Sequence, residues 1–380
     1  MNARYTPTLP IIVLALVAAA CGGGSDGAAS TTEPAVATTS APAAATPPAS
    51  TPPASADAAP QTSAVTTSAP LTTSLTTSPA TSPDEPSYPT IDELLSFGRP
   101  IVLAHTAGED QFPASTLFGF GESAKAQVDM LDLNVQLTAD NVLVVHHDDS
   151  VDRSTNGTGT VASLTYAEVA ELDDAYWFTA ECICTDKPAA DYLYRGIRTG
   201  DVAPPAGYTA DDFSIPRFRD IVTAFPDLPL NIEIKGNGQP AQAAAKVLAA
   251  EIAEFGIGNH VVVTSFDDAI VDDFHQVAPD VEVSPGLAVS TAFVLGGTPL
   301  PAGQRILQLP PEFQGLTVVT DKLIADAHTS GYVIWIWPNN RDLENPATYR
   351  RYLEMGIDGL NINFPADGVA ALADFLGAFG

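Results

Sequence analysis

Only six residues separate the apolar run "MLDLNV" (130–135) from "VLVVHHD" (142–148). A parallel crossover needs about a dozen residues or more, so these two runs must pair antiparallel through the turn "TADN". All other consecutive strand-like runs lie further apart: "IVLAH" (101–105), "NIEIK" (231–235), "VVVTSF" (261–266), "VEVSPG" (281–286), "GLTVV" (315–319), "YVIWIW" (332–337) and "DGLNINF" (358–364). The stretches between most of them have helical periodicity, clearest in "PAQAAAKVLAAEIAEFG" and "DDAIVDDFHQVAP". Strands alternating with helices predict a parallel α/β sheet built from βαβ units.

With the returning arm of the hairpin set aside, eight parallel strands remain. Eight strands in roughly 290 residues predict a TIM-type (β/α)8 barrel with a β-hairpin after strand 2. The rival, an open doubly wound sheet, carries a glycine-rich phosphate loop after its first strand. Here that position reads "AHTAGED", which lacks the fingerprint. The barrel is assigned to residues 89–380, with one large loop spanning 149–225.

The formal charge is −30 at pH 7, and the first 88 residues contribute only one Arg and five acidic residues to it. Nucleic acid is therefore not an expected partner, because that binding needs clustered Lys and Arg. An anionic substrate would be repelled by such a field unless a positive group sat in the site, and a bound divalent cation is the simplest one.

Residues 1–21, "MNARYTPTLPIIVLALVAAAC", hold an apolar run too short to span a bilayer. They fit an export signal, and "AAAC" resembles a bacterial lipoprotein signal that would make Cys21 the lipidated residue. Residues 22–88 are almost wholly Ala, Ser, Thr, Pro and Gly, a composition that predicts a disordered tether. The expected location is the outer face of the cytoplasmic membrane, held there by an N-terminal lipid anchor. Cys182 and Cys184 form a C-x-C pair, read as unpaired loop cysteines in preference to a short disulfide.

Barrel chemistry sits at the C-terminal ends of the strands. His105 ends the first run, and His147 is delivered by the returning hairpin arm. Two histidines on one rim suit phosphodiester cleavage, which needs a base for the attacking oxygen and an acid for the leaving alcohol. His146 alternates to the opposite side and is excluded. Asp132 and Asn134 share one strand face, and Glu233 joins them from the next parallel strand. Such oxygen ligands suit Mg²⁺ or Ca²⁺. Lys235 is placed to neutralise phosphate charge or to pair with Glu233 or Asp132, and Arg153 to pair with hairpin acids.

These motifs, in this order, resemble the glycerophosphodiester phosphodiesterase family. "AHTAG" stands where the family has H-R-G, "PAST" where it has P-E-N-T, and "DLNVQLTADNVLVVHHD" follows E-x-D-V-x-x-T-x-D-G-x-x-V-x-x-H-D. "RSTNGTG", "LNIEIK", "VVVTSFD", "IWIWPNN" and "GIDGLNINFP" continue the series over about 100–370. The resemblance implies a TIM barrel that hydrolyses a glycerophosphodiester to glycerol 3-phosphate and an alcohol. It implies His105 and His147 as the catalytic pair, Asp132, Asn134 and Glu233 as metal ligands, and Lys235 and Trp337 on the substrate. The chain departs from the family pattern at Thr106 (Arg), Ala114 (Glu), Asn134 (Asp) and Asn363 (Asp). Those departures define one alternative, a protein that binds lipid headgroups or polyol phosphates without turnover. A second is a phospholipase D-like activity, since related barrels use a similar two-histidine, carboxylate-metal site.

Overall fold

The computed structural model describes residues 88–378. Cys21 and the segments expected to form an export signal and a tether lie outside the described residues, apart from Tyr88, whose ring packs 4.0 Å from that of His260. In chain order the strands are β1 (Ile101–Ala104), β2 (Met130–Leu137), β3 (Leu143–Val145), β4 (Leu230–Ile234), β5 (Val261–Thr264), β6 (Glu282–Val283), β7 (Ile306–Leu309), β8 (Glu312–Phe313), β9 (Leu316–Thr317), β10 (Val333–Ile336) and β11 (Gly359–Ile362). The helices are α1 (Ile91–Leu95), α2 (Leu117–Lys125), α3 (Tyr166–Ala170), α4 (Phe218–Ala224), α5 (Gly238–Phe255), α6 (Asp268–Val277), α7 (Leu287–Gly296), α8 (Asp321–Thr329), α9 (Pro346–Met355) and α10 (Pro365–Gly377).

Eight strands run parallel in the order β6-β5-β4-β2-β1-β11-β10-β7. The ring is nearly closed. The seam between β6 and β7 is bridged by the Ser284 hydroxyl, which donates to the Ile306 carbonyl at 2.9 Å, and by the Arg305–Glu282 ion pair at 2.9 Å. As expected, β3 returns antiparallel on β2, with Val135 opposite Val145. The expected eight-stranded barrel with a hairpin after its second strand is therefore the observed fold.

One strand assignment is corrected. The sixth barrel strand is the short β7, "ILQL", and not "GLTVV". Residues 315–319 instead contribute β9 to a two-stranded antiparallel ribbon with β8, outside the barrel. The physical reason is the turn between them: Gln314 and Gly315 both take positive φ, 50° and 77°, and reverse the chain at once. Leu316 and Thr317 are exposed, and of this run only Val319 is buried in the main core.

Alternation along each strand sorts the residues. Leu131, Leu133 and Val135 face outward into the main core, where α5 packs Ala241, Ala244, Ala245, Leu248 and Ile252 at helical spacing. The small alanines allow close helix–sheet approach, and α5 ends at Gly256 with φ 68°. Inside the barrel the floor is apolar: Ile101, Leu103, Met130, Val262, Ile306 and Trp335. Gly359 belongs to this layer because a Cβ there would lie 2.5 Å from Trp335 Cδ1. Above the floor the inward positions turn polar, with Asp132, Asn231, Gln308 and Asn361, and the rim carries His105, Asn134, Glu233 and Asn363.

The segment expected as one large loop has structure of its own. It contains α3 and α4 and a small core of Val144, Val151, Val161, Val169 and Ile215 under the hairpin. Cys182 and Cys184 are joined in a disulfide, contrary to the unpaired reading. Their Cα atoms lie 5.5 Å apart, within the ordinary span for the bond.

Candidate active site

The rim is assembled by strand ends and tight turns. After β1 the backbone enters left-handed space at Thr106 (φ 47°), Ala107 (φ 68°) and Gly108 (φ 81°). Two non-glycine residues in that region are costly, and such strain persists only where the surroundings enforce it. Here they do. The Thr106 N–H donates to Asp132 Oδ2 at 3.3 Å, and the Ser115 N–H donates to the Thr106 carbonyl at 3.2 Å. This turn fixes His105 at the top of β1.

His105 Nδ1 lies 2.7 Å from Asn363 Oδ1. The Asn363 amide nitrogen donates to Asp110 Oδ2 at 2.9 Å and Glu109 Oε1 at 3.4 Å. Those carboxylates can only accept when ionised, so the amide orientation is set by the network and Oδ1 faces the imidazole. His105 therefore donates from Nδ1, and in its neutral form Nε2 carries the lone pair. Burial disfavours the charged imidazole, but Asp132, Glu109, Asn363 and Glu344 together outweigh it and raise the pKa of His105.

His147 is held in the same way by a different partner. Its Nδ1 is 2.6 Å from Asp148 Oδ1. Arg153 grips the same carboxylate with Nε at 2.5 Å from Oδ2 and Nη2 at 3.2 Å from Oδ1. Burial opposes ionisation of Asp148, but these two partners hold its carboxyl well below the usual range. His147 Nε2 lies 3.4 Å from the Lys235 ammonium, which also pairs with Glu233 at 3.2 Å. Arg153 thus pairs with a hairpin acid as its position predicts. It also reaches Glu109 at 4.0 Å, which links the two histidine clusters. Burial pushes the Glu109 carboxyl up, yet His105, Arg153 and His147 outweigh it and keep Glu109 ionised.

Asp132 is buried and its pKa is raised, first by burial and further by Glu233. Its Oδ1 accepts from the Asn231 amide at 2.5 Å. Asn231 in turn exchanges two hydrogen bonds with Gln308, both 2.9 Å. Asn134 sits opposite Glu233 in register. Its amide nitrogen donates to the Thr106 hydroxyl at 3.3 Å. Two departures from the family pattern, Thr106 and Asn134, therefore meet: a neutral pair stands where the pattern has Arg and Asp.

The set Asp132, Asn134 and Glu233 offers only oxygen donors, and a buried carboxyl destabilised by its neighbour is a place where a cation is favourable. The residues fit a hard divalent ion in kind, with one carboxylate fewer than the family pattern. Among the described residues no three His, Cys, Asp or Glu side chains stand close enough to hold an ion by themselves.

Trp337 stands at the end of β10 and Phe266 at the end of β5, their rings meeting edge-on at 5.9 Å. His146 points away from the rim, toward the Ser150 carbonyl at 3.2 Å and Asp174 at 3.7 Å. Sequence reasoning missed Asn231, Gln308 and Glu344. The amides follow from strand alternation in a polar barrel layer, but Glu344 lies in a loop with no periodic signal.

Residues 105–367 match the glycerophosphoryl diester phosphodiesterase family. A glycerophosphodiester phosphodiesterase of Bacillus altitudinis is 25% identical over 269 residues, covering 70% of this chain and 94% of that protein. Its counterpart in Bacillus subtilis is 25% identical over 281 residues, covering 72% and 86%. The fold is shared with the glycerophosphoryl diester phosphodiesterase domain of an uncharacterised Mycobacterium tuberculosis protein. That match has a TM-score of 0.55 at 19% identity and covers 72% of this chain and 98% of the other. It is also shared with an Oleispira antarctica phosphodiesterase solved with the product sn-glycerol-3-phosphate, at TM-score 0.53 and 17% identity, covering 74% and 99%. The barrel, the ordered motifs and a family match that spans most of the folded chain lead to one conclusion: this chain is a member of the glycerophosphoryl diester phosphodiesterase family of phosphoric diester hydrolases.

Proposed function

We propose that this chain hydrolyses glycerophosphodiesters to glycerol 3-phosphate and an alcohol, with a divalent cation, outside the cytoplasmic membrane. The observation that carries the reading is the pair of rim histidines. Each is tied through Nδ1 to a partner held by its own network, Asn363 for His105 and Asp148 for His147, so that in the neutral rings the lone pair is on Nε2, which for His147 lies 3.4 Å from the Lys235 ammonium. In hydrolysis, water adds across the bond between phosphorus and the leaving oxygen. One imidazole removes a proton on the attacking side, and the other gives a proton to the departing alcohol. Lys235, beside His147 and Glu233, offsets the phosphate charge within an acidic protein.

Asp132, Asn134 and Glu233 would hold Mg²⁺ or Ca²⁺. Such an ion would polarise a phosphoryl oxygen. Asn231, through Gln308, keeps the Asp132 carboxylate in place for that duty. Trp337, backed by Phe266, offers an apolar wall to the substrate.

The location rests on the N-terminal sequence: an apolar run ending in "AAAC" followed by a long Pro/Ser/Thr-rich tether. Lipidation of Cys21 would then anchor the barrel at the outer face of the membrane. Among the described residues no helix is long and apolar enough to cross one.

The test is turnover of glycerophosphocholine by the full chain, before and after chelation, with Mg²⁺ or Ca²⁺ added back. Glycerol 3-phosphate and choline should appear and should depend on the ion. The neutral Thr106–Asn134 pair favours a second reading, in which the site binds headgroups without cleaving them. Tight binding with no product under any ion would establish that reading instead.

A further inference from the structure

Glu344 follows the single turn Arg341–Leu343 between β10 and α9 and is 7% exposed. Its Oε2 accepts the Tyr349 hydroxyl at 2.5 Å and the main-chain N–H of Asn363 at 3.2 Å. Its Oε1 is buried with no hydrogen-bond partner among the described residues. A buried carboxylate with an unmet oxygen is destabilising, and such a group calls for an explanation. The chemistry described above makes no use of it.

The neighbour that Glu344 grips supplies the explanation. Asn363 holds Glu344 by its main chain and His105 by its side chain, at 2.7 Å. The family pattern has an aspartate at this position. A neutral amide can orient His105 but cannot balance its positive charge. We propose that Glu344 is a positioning residue for His105, fixing Asn363 through its backbone and adding a counter-charge to those of Asp132 and Glu109.

The groups around it agree with this role. Tyr349, Asn363, His105 and Asp110 act on Glu344, while Asp132 and Glu109 act on His105 more strongly than Glu344 does. Burial raises the Glu344 carboxyl to about 7, so it exchanges a proton in the range where a histidine works. When Glu344 ionises, the imidazolium of His105 gains a counter-charge. When it is protonated, that counter-charge is lost.

The experiment has a kinetic arm and an arm without turnover. The kinetic arm rests on the proposed hydrolysis of glycerophosphodiesters. In Glu344→Gln the limb of the kcat/KM profile that belongs to His105 should move toward acid by at least about half a pH unit. Glu344→Asp should restore part of the shift. Tyr349→Phe, which removes a donor that favours the ionised carboxyl, should move the limb in the same direction by less. The second arm follows the His105 imidazole by NMR titration in the full chain and reads the same shift whether or not the protein turns over. A merely structural residue would lower stability or kcat at every pH and leave the His105 titration in place. An unchanged His105 titration in both Glu344→Gln and Tyr349→Phe overturns the proposal. A shifted titration in a protein without activity upholds it and counts against the hydrolase reading alone.

Discussion

Replacing Asp148 by Asn tests how the hairpin presents His147. The carboxylate now receives three donors: His147 Nδ1 at 2.6 Å and Arg153 Nη2 at 3.2 Å on Oδ1, and Arg153 Nε at 2.5 Å on Oδ2. An amide keeps one acceptor. The short, charge-assisted bond from Arg153 Nε should claim it, because arginine has no state in which it accepts. The amide NH₂ then falls at the Oδ1 position and donates to His147 Nδ1. That places the imidazole proton on Nε2, the opposite tautomer. A wrong tautomer in a histidine–carboxylate pair costs about 10³- to 10⁴-fold in kcat, or about 4 to 5 kcal/mol of barrier. KM should change little, since no substrate contact is removed. The assays are steady-state turnover of glycerophosphocholine and the ¹⁵N shifts of the His147 ring. Retention of kcat within about ten-fold of wild type, or an unchanged tautomer, would refute the reasoning.

Three further outcomes follow from particular contacts. Asn134→Asp should tighten Mg²⁺ or Ca²⁺ binding by about ten-fold or more by calorimetry, because it adds a carboxylate beside Asp132 and Glu233; unchanged affinity would exclude this position as a ligand. Glu344 holds a proton in the folded state up to about pH 7, whereas its ordinary value is 4.5. The folded state therefore binds more protons between those values, and this group makes stability fall as pH rises through that window, by about 3 kcal/mol in all. Denaturant titrations at pH 5 and pH 8 should show the fall in wild type and a smaller one in Glu344→Gln; identical slopes would contradict it. Gly359→Ala should lower the melting temperature at a cost of about 1–3 kcal/mol, since its Cβ would meet Trp335 Cδ1 at 2.5 Å inside the barrel floor; an unshifted melt would show that the ring yields freely.

The barrel was legible because its signals are repeated and local. Apolar runs of four to eight residues alternate with helical periodicity, and the six-residue gap before "VLVVHHD" left the hairpin no alternative. His105, Asp132, Asn134, His147, Glu233 and Lys235 were legible as polar residues ending or interrupting apolar strands. What failed to show has equally physical causes. The run "ILQL" is short, and its apolar pattern is broken by Gln308, which faces inward to pair with Asn231. Residues 315–319 have strand composition, yet the turn at Gln314 and Gly315 folds them back outside the sheet. The pairing of Thr106 with Asn134 joins positions far apart in sequence, through a left-handed turn that side-chain pattern does not announce. Glu344 gains its character from burial against Tyr349 and Asn363, a tertiary effect absent from the run "NRDLENP".

The most direct test of the account is production of glycerol 3-phosphate from glycerophosphocholine by the full chain with saturating Mg²⁺ or Ca²⁺, beside His105→Ala and His147→Ala. The account predicts steady formation of equal amounts of glycerol 3-phosphate and choline, with each substitution lowering kcat by about 10²-fold or more. A folded wild-type protein that yields no product, or variants that turn over at the wild-type rate, would contradict it.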